Sequence, residues 1–236
     1  MKTKKKRLLI LPALLLLPAA AFLIYTGIHY RAGAAAMKAL ESDAVRVEQT
    51  DYGWLFDGPA DTAALIFYPG AKVEASAYAP LLHSLAANGL DVCLVKMPFY
   101  MAVFDMNAAD GVMAQYDYER WYIGGHSLGG AVAANYAAAH DLDGVILLAA
   151  YPTKTVDEPM LILYGSEDGV LNRSRMEEAD RFGAAETHVI EGGNHAGFGD
   201  YGAQQGDGAA AISAEEQRAI AGEVIAAWLA QAGDPA

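Results

Sequence analysis

Cysteine is nearly absent: Cys93 is the only one in 236 residues, so no internal disulfide can staple the chain and no N-terminal cysteine is available for a lipid. Basic residues are also scarce, 16 against 29 acidic ones, for a formal net charge of −13. Six of the 16 lie within residues 1–31, which hold no acidic residue. The remainder therefore carries ten against 29, a net of −19. A surface of that sign repels phosphate backbones, which excludes nucleic acid as a partner, and its ordinary effect is solubility. No Gly-rich phosphate loop with a following lysine occurs, and no histidine pair has metal-ligand spacing. Neither a cofactor nor a metal is expected.

Charge is missing altogether from Leu8 to Ile28, a run of 21 residues preceded by Lys2, Lys4, Lys5, Lys6 and Arg7. As a helix that run would reach about 30 Å, the thickness of a bilayer core. Pro12 and Pro18 interrupt it, which a membrane helix tolerates better than a soluble one. The expected reading is a signal anchor over residues 1–31, with its basic flank in the cytoplasm and the rest of the chain outside the cell membrane as a single-pass protein. The alternative is a cleaved signal peptide, with Ala32-Gly33-Ala34 as the cut site and a secreted product, but its apolar region would be unusually long.

Residues 32–44 are Ala-rich and read as a linker or helical stalk, which leaves 45–236 as one domain. There, short β-like runs alternate with helical ones. Ala44–Gln49 and Trp54–Asp57 suggest a hairpin. Ala63–Tyr68, Val92–Val95, Trp121–Ile123, Val145–Ala149, Met160–Tyr164 and Thr187–Ile190 suggest further strands. Helical patterns fall at Tyr78–Ala87, around Val103–Gln115, and at Leu128–Ala139, Arg173–Arg181 and Ala214–Ala230. Strands buried on both faces and alternating with helices predict an α/β fold with a mostly parallel sheet and helices on both faces.

Gly125-His126-Ser127-Leu128-Gly129 is the sharpest local feature, a G-x-S-x-G element between a strand and an Ala-rich helix. That setting places a serine on a tight, strained turn, with glycines where strand and helix backbones come too close for side chains. The helix N-terminus behind Ser127 favours developing negative charge. A serine hydroxyl needs a base, and the base an orienting acid, which follow in the order acid, then histidine. Three histidines come after Ser127. His140 ends a helix and His188 sits in a strand. His195 lies in the Gly-rich loop Gly192–Gly197 after the last strand and is the candidate base. Asp168, after the strand Met160–Tyr164, is the candidate acid, with Glu167 as runner-up. Two backbone N–H groups must hold an oxyanion. Leu128 follows the nucleophile, and Ala71, with Lys72 in reserve, lies in the turn after Tyr68. The apolar cluster Met97, Phe99, Tyr100 and Met101 reads as core, and Asp200 and Tyr201 as supports of the histidine loop.

Together these motifs resemble the α/β-hydrolase superfamily from about Val45 to Leu229. Tyr68–Gly70, Gly124–Gly130, Gly192–His195 and Phe198–Gly202 are similar to a compact, capless bacterial branch related to dienelactone-hydrolase-like serine esterases. The resemblance implies an eight-stranded sheet and carboxylic-ester hydrolysis through an acyl-enzyme. True dienelactone hydrolases carry cysteine where Ser127 stands, and dehalogenases aspartate, so neither activity is implied. The short link from Ala149 to Met160 leaves no room for a lid domain, which points to a small or short-chain ester substrate. An acyltransferase with the same triad and a non-catalytic binding module on the same scaffold are the rival readings.

Overall fold

The computed structural model describes residues 16–18, 20–59, 62–178 and 182–232. Eight strands form one sheet: β1 (Arg46–Gln49), β2 (Gly53–Asp57), β3 (Ala63–Tyr68), β4 (Asp91–Val95), β5 (Arg120–His126), β6 (Gly144–Leu148), β7 (Met160–Gly165) and β8 (Ala185–Ile190). Their spatial order is β1-β2-β4-β3-β5-β6-β7-β8. The hairpin β1–β2 is antiparallel and joins β4 antiparallel, while β3 to β8 run parallel. The chain passes from β3 outward to β4 and then back across to β5, so the strand order reverses at β3. At such a reversal the loops beyond the C-terminal strand ends diverge and leave a crevice.

Alternate side chains of the central strands enter two cores. Leu65, Phe67, Val92, Leu94, Ile146 and Leu148 face helices α2 (Ala79–Ala87) and α6 (Ala214–Ala232). Ile66, Tyr68, Cys93, Val95, Val145 and Leu147 face α3 (Ala108–Met113) and α4 (Leu128–Ala137). A helix α5 (Arg173–Glu177) precedes β8. The segment from Ala149 to Pro159 holds no helix, so no lid interrupts the passage from β6 to β7.

Three elements differ from expectation. The helix expected around Val103–Gln115 shrinks to Ala108–Met113, behind two 3-10 turns at Pro98–Tyr100 and Ala102–Phe104. Asp105, inside the expected span, adopts φ −152° and ψ 67°, which a right-handed helix cannot include. Strand β5 runs on through Gly124 and Gly125 to His126 rather than stopping at Ile123. Helix α5 ends at Glu177, and residues 179–181 lie outside the described residues.

Residues 32–44, expected as linker or stalk, contain helix α1 (Ala34–Leu40), whose Ala36 is fully buried. Just before it, Tyr30 forms a parallel bridge with Val73, its N–H donating to the Lys72 carbonyl at 2.7 Å. The Ala36 N–H donates to Asp200 Oδ2 at 2.8 Å, and Gly33 N–H to the Asp200 carbonyl at 2.7 Å. Residues 20–27 are helical. Among the described residues no helix is long and apolar enough to cross a membrane. The expected span Leu8–Ile28 begins in residues 1–15, which lie outside the described residues, as does Ala19.

The junction of β3, β5 and α4 is too close for side chains at Gly129. A Cβ there would stand 2.2 Å from the Tyr68 carbonyl oxygen and 2.3 Å from that of Pro69. Gly129→Ala should therefore destabilise the protein by about 3 kcal/mol, the upper end of overpacking costs. Gly111→Ala, in α3 with no atom within 4 Å of the new methyl, should be neutral or stabilising by about 0.5–1 kcal/mol. Urea unfolding of both variants checks this; equal midpoints would contradict the packing account.

Candidate active site

Ser127 is the residue between β5 and α4, with φ 54° and ψ −123°. A left-handed φ at a non-glycine residue costs about 1–3 kcal/mol and persists only where surrounding structure enforces it. Here the enforcement is visible. The Ser127 N–H donates to the Leu148 carbonyl at 2.9 Å, and its own carbonyl accepts from the Ala131 N–H at 3.0 Å. Its hydroxyl borders a cavity of about 310 Å³ that is also lined by Leu128, Ala131, Ala149, Ala150, Tyr151, Val170, Leu171 and His195. Another cavity, of about 210 Å³, opens among Ala63, Leu90, Arg120 and Leu229 at the opposite ends of β3 and β5 and holds none of the candidate residues.

His195 and Asp168 meet in the interior. Nδ1 of His195 lies 2.8 Å from Asp168 Oδ2, with both side chains at most 1% exposed. Oδ1 of Asp168 accepts the N–H groups of Val170 at 2.9 Å and Leu171 at 2.8 Å. An ionised carboxylate can only accept, so the imidazole proton sits on Nδ1 and Nε2 presents its lone pair. That Nε2 is buried and has no partner among the described residues. Ser127 and His195 line one cavity, but the serine hydroxyl makes no hydrogen bond to that Nε2, a looseness common in unliganded sites. Glu167 is exposed and bonded to Ser166, away from the imidazole. His140 bonds the Tyr136 carbonyl at the end of α4, and His188 lies half-buried in the edge strand β8. The two loops carrying acid and histidine touch at Gly165, where a Cβ would meet the Gly193 carbonyl carbon and oxygen at 2.2 Å.

The candidate oxyanion donors fall on neighbouring turns. Leu128 is the first residue of α4, so its N–H has no acceptor within the helix. In the turn after β3, the Lys72 N–H is taken by the Tyr100 carbonyl at 2.7 Å and the Gly70 N–H by Tyr78 Oη at 3.1 Å. The Ala71 N–H between them makes no hydrogen bond among the described residues. Lys72, the reserve candidate, is therefore already engaged. Lys72, Phe99, Tyr100, Ser127 and Ala149 are the non-glycine residues with positive φ among the described residues, and they follow β3, β4, β5 and β6 at one edge of the sheet. Of these, Ser127 and Ala149 line the cavity.

Three supports escaped sequence reasoning. His126, fully buried, has Nδ1 2.8 Å from Tyr78 Oη and Nε2 3.0 Å from the His195 carbonyl. A carbonyl only accepts, so Nε2 donates, Nδ1 accepts from the tyrosine, and Tyr78 Oη accepts from Gly70. The chain of bonds thus ties the turn after β3, the elbow and the histidine loop together. Asp207 accepts the N–H groups of His195 at 3.1 Å and Ala196 at 2.8 Å. Gln217 of α6 clasps Asn194, accepting its N–H at 2.9 Å and donating to its carbonyl at 2.7 Å. One signal was available for Gln217: it lies on the stripe of α6 that also carries Ala221, Ile225 and Trp228, an amide where the pattern calls for an apolar residue. Asp200, expected to support the histidine loop, binds the Gly33–Ala36 segment, and Tyr201 is buried against Tyr78. Met97 is core as expected, whereas Phe99 is largely exposed.

A model of the alpha/beta hydrolase family matches residues 64–219. The solved structures with similar folds include naproxen esterase from Bacillus subtilis (14% identity, 83% of this chain and 95% of that one, TM-score 0.58). They also include dienelactone hydrolase from Anabaena variabilis (13%, 79% and 96%, 0.56). A third is esterase 2 from Thermogutta terrifontis (14%, 78% and 94%, 0.54). No curated protein matches the chain in sequence.

Burial, and then the neighbouring His195, hold His126 well below its ordinary value of 6.5, so it stays neutral in the fold. The unfolded chain protonates it near that ordinary value and there binds the extra proton. Its contribution to stability is complete above pH 6.5 and is lost as pH falls below it, by at most about 1.4 kcal/mol per pH unit. His126→Gln keeps a donor and an acceptor without titrating. Urea unfolding at pH 7 and pH 5 should lose about 1–2 kcal/mol less stability in the variant than in the parent. Identical pH dependence would contradict a neutral, buried His126.

Proposed function

Because the chain belongs to the alpha/beta hydrolase family, we propose that it is a serine hydrolase cleaving small or short-chain carboxylic esters, with Ser127 as nucleophile, His195 as base and Asp168 as its orienting acid. The observation that carries this reading is the buried His195–Asp168 pair, whose Nε2 has no partner among the described residues, in a histidine that lines the same cavity as a serine on a strained elbow. The esterase descriptions of structurally similar proteins agree with an ester as substrate.

In this mechanism Ser127 Oγ attacks the ester carbonyl while His195 Nε2 takes its proton. The oxyanion of the tetrahedral intermediate is held by the N–H groups of Leu128 and Ala71. Asp168 stabilises the imidazolium without being protonated, fixed in turn by the Val170 and Leu171 N–H groups. Collapse breaks the ester C–O bond, and the alkoxide leaves as alcohol with the proton from Nε2. Water then attacks the acyl-enzyme, giving its proton to Nε2, and the carboxylic acid leaves as the Ser127 hydroxyl re-forms. The cavity walls of Ala131, Ala149, Ala150, Val170 and Leu171 suit a short apolar acyl group.

The N-terminal segment belongs to the same proposal. The charge-free run from Leu8 to Ile28 behind a basic flank supports a retained single-pass anchor, with the catalytic domain outside the cytoplasm.

Nucleophile and base act as a unit, so their losses should not add. Ser127→Ala and His195→Ala should each lower kcat for a p-nitrophenyl acetate-type ester by about 10⁴–10⁶-fold, with the double variant scarcely worse. Asp168→Asn should cost about 10⁴-fold and Glu167→Gln little. Turnover surviving in a folded Ser127→Ala would overturn the mechanism; reversal of the two acid variants would move the acid to Glu167.

A further inference from the structure

The helical residues 20–27 lean on the catalytic domain. Phe22 packs edge-on against Phe99 and Phe104, with ring centroids at 5.1 and 5.7 Å, and those two rings meet each other at 5.4 Å. Beyond this contact both elements leave large apolar side chains uncovered. Phe99, Val103, Phe104 and Met106 are 44–48% exposed, and Leu23, Ile24, Tyr25 and Ile28 are 55–67% exposed. One apolar surface therefore runs from the N-terminal helix into residues 98–106, which is unusual unless something covers it.

Three observations identify the cover as lipid. The exposed helix continues a charge-free run that starts at Leu8 behind five basic residues, a pattern suited to a bilayer. Lysines ring the patch: Lys72 Nζ lies 4.0 Å from the Tyr25 ring centroid, and Lys96 shares a groove with Leu23, Gly27 and Phe99. Such side chains can cover apolar surface with their stems while their charges reach headgroups. The depth also fits. Phe22 stands six residues before Ile28, or about 9 Å along a helix, within the roughly 5–10 Å to which interfacial elements penetrate. Asp105, the single charge in residues 98–106, confines that segment to the interfacial layer.

We propose that residues 98–106 dip into the bilayer surface beside the N-terminal helix, Phe99, Val103, Phe104 and Met106 entering the lipid, so that the enzyme draws esters partitioned into the membrane. The loop reaches the site through its backbone: the Tyr100 carbonyl accepts the Lys72 N–H at 2.7 Å, next to Ala71. The loops after β3, β4 and β5 share one edge of the sheet, so the lipid contact and the Ser127 cavity share it as well. This inference rests on the anchor in the proposed function, and the test separates the two.

The full-length protein is reconstituted into phosphatidylcholine vesicles containing doxyl-labelled lipid, with an environment-sensitive fluorophore on Phe104→Cys or on Asn88→Cys, an exposed position at the other edge of the sheet. Cys93 does not compete for label, because burial pushes its thiol up to about 12. The expected result is quenching at position 104 and none at 88. No quenching at 104 while the protein stays with vesicles through a carbonate wash overturns the docking and leaves the anchor standing. Release into the wash overturns both. Cross-linking between the 104 positions of two copies, without quenching, shows that a second copy covers the patch and also overturns the proposal. In the paired variant Val103→Ser/Phe104→Ser, turnover of a water-soluble ester should be unchanged, and turnover of a short-chain acyl ester of a long-chain alcohol, dissolved in the vesicles, should fall about tenfold. Equal loss on both substrates overturns the link to membrane esters.

Discussion

The main chain at Gly129 lies against the carbonyls of Tyr68 and Pro69 with no space for even one methyl group. That contact brings the end of β3 alongside the start of α4, and the geometry around Ser127 follows from it. The turn after β3 reaches the elbow after β5, so the turns that carry Ala71 and Leu128 lie side by side. The same approach leaves the chain no relaxed route from strand to helix, so Ser127 is held at a positive φ with its hydroxyl on the cavity. Strain at Ser127 is a consequence of packing that the rest of the sheet stabilises.

A second constraint acts on the histidine loop, which has little regular structure of its own. It is held from three directions. Asp207 takes its N–H groups, Gln217 grips Asn194 from the C-terminal helix, and His126 donates to the His195 carbonyl from the elbow. With the main chain fixed, the imidazole needs only the Asp168 contact to set its orientation and tautomer. The His126 bond is buried and the others are partly buried, and in such surroundings an unmade bond is costly and a made one correspondingly specific. The N-terminal segment adds a further tie, since Tyr30 pairs beside Lys72 and Asp200 receives Ala36. Residues that precede the domain in sequence thus brace both the turn after β3 and the loop after His195.

Much of the candidate site could be picked out in the chain because its residues sit beside strong punctuation. Ser127 and Leu128 lie between a strand and a helix marked by glycines, Asp168 follows an apolar run, and His195 stands in a Gly-rich loop. The supports could not be read in this way. His126 meets Tyr78 across 48 residues, Gln217 meets Asn194 across 23, and Ala36 meets Asp200 across 164. No local periodicity encodes such pairs, because each depends on where separate elements land on the sheet. The strand order falls in the same class, since the apolar runs mark strands but not the reversal at β3. The helix expected from Val103 is broken at Asp105, whose φ of −152° and ψ of 67° leave the helical region with no glycine or proline to announce it.

The central claim is that one serine, Ser127, becomes covalently bound during turnover. The most direct measurement is peptide mass spectrometry after reaction of the folded protein with a fluorophosphonate, which traps a serine activated by a neighbouring base. The account predicts a single stoichiometric adduct on the peptide containing Ser127, absent when His195 is replaced by alanine. An adduct on another residue, or none in a protein that hydrolyses esters, would contradict it.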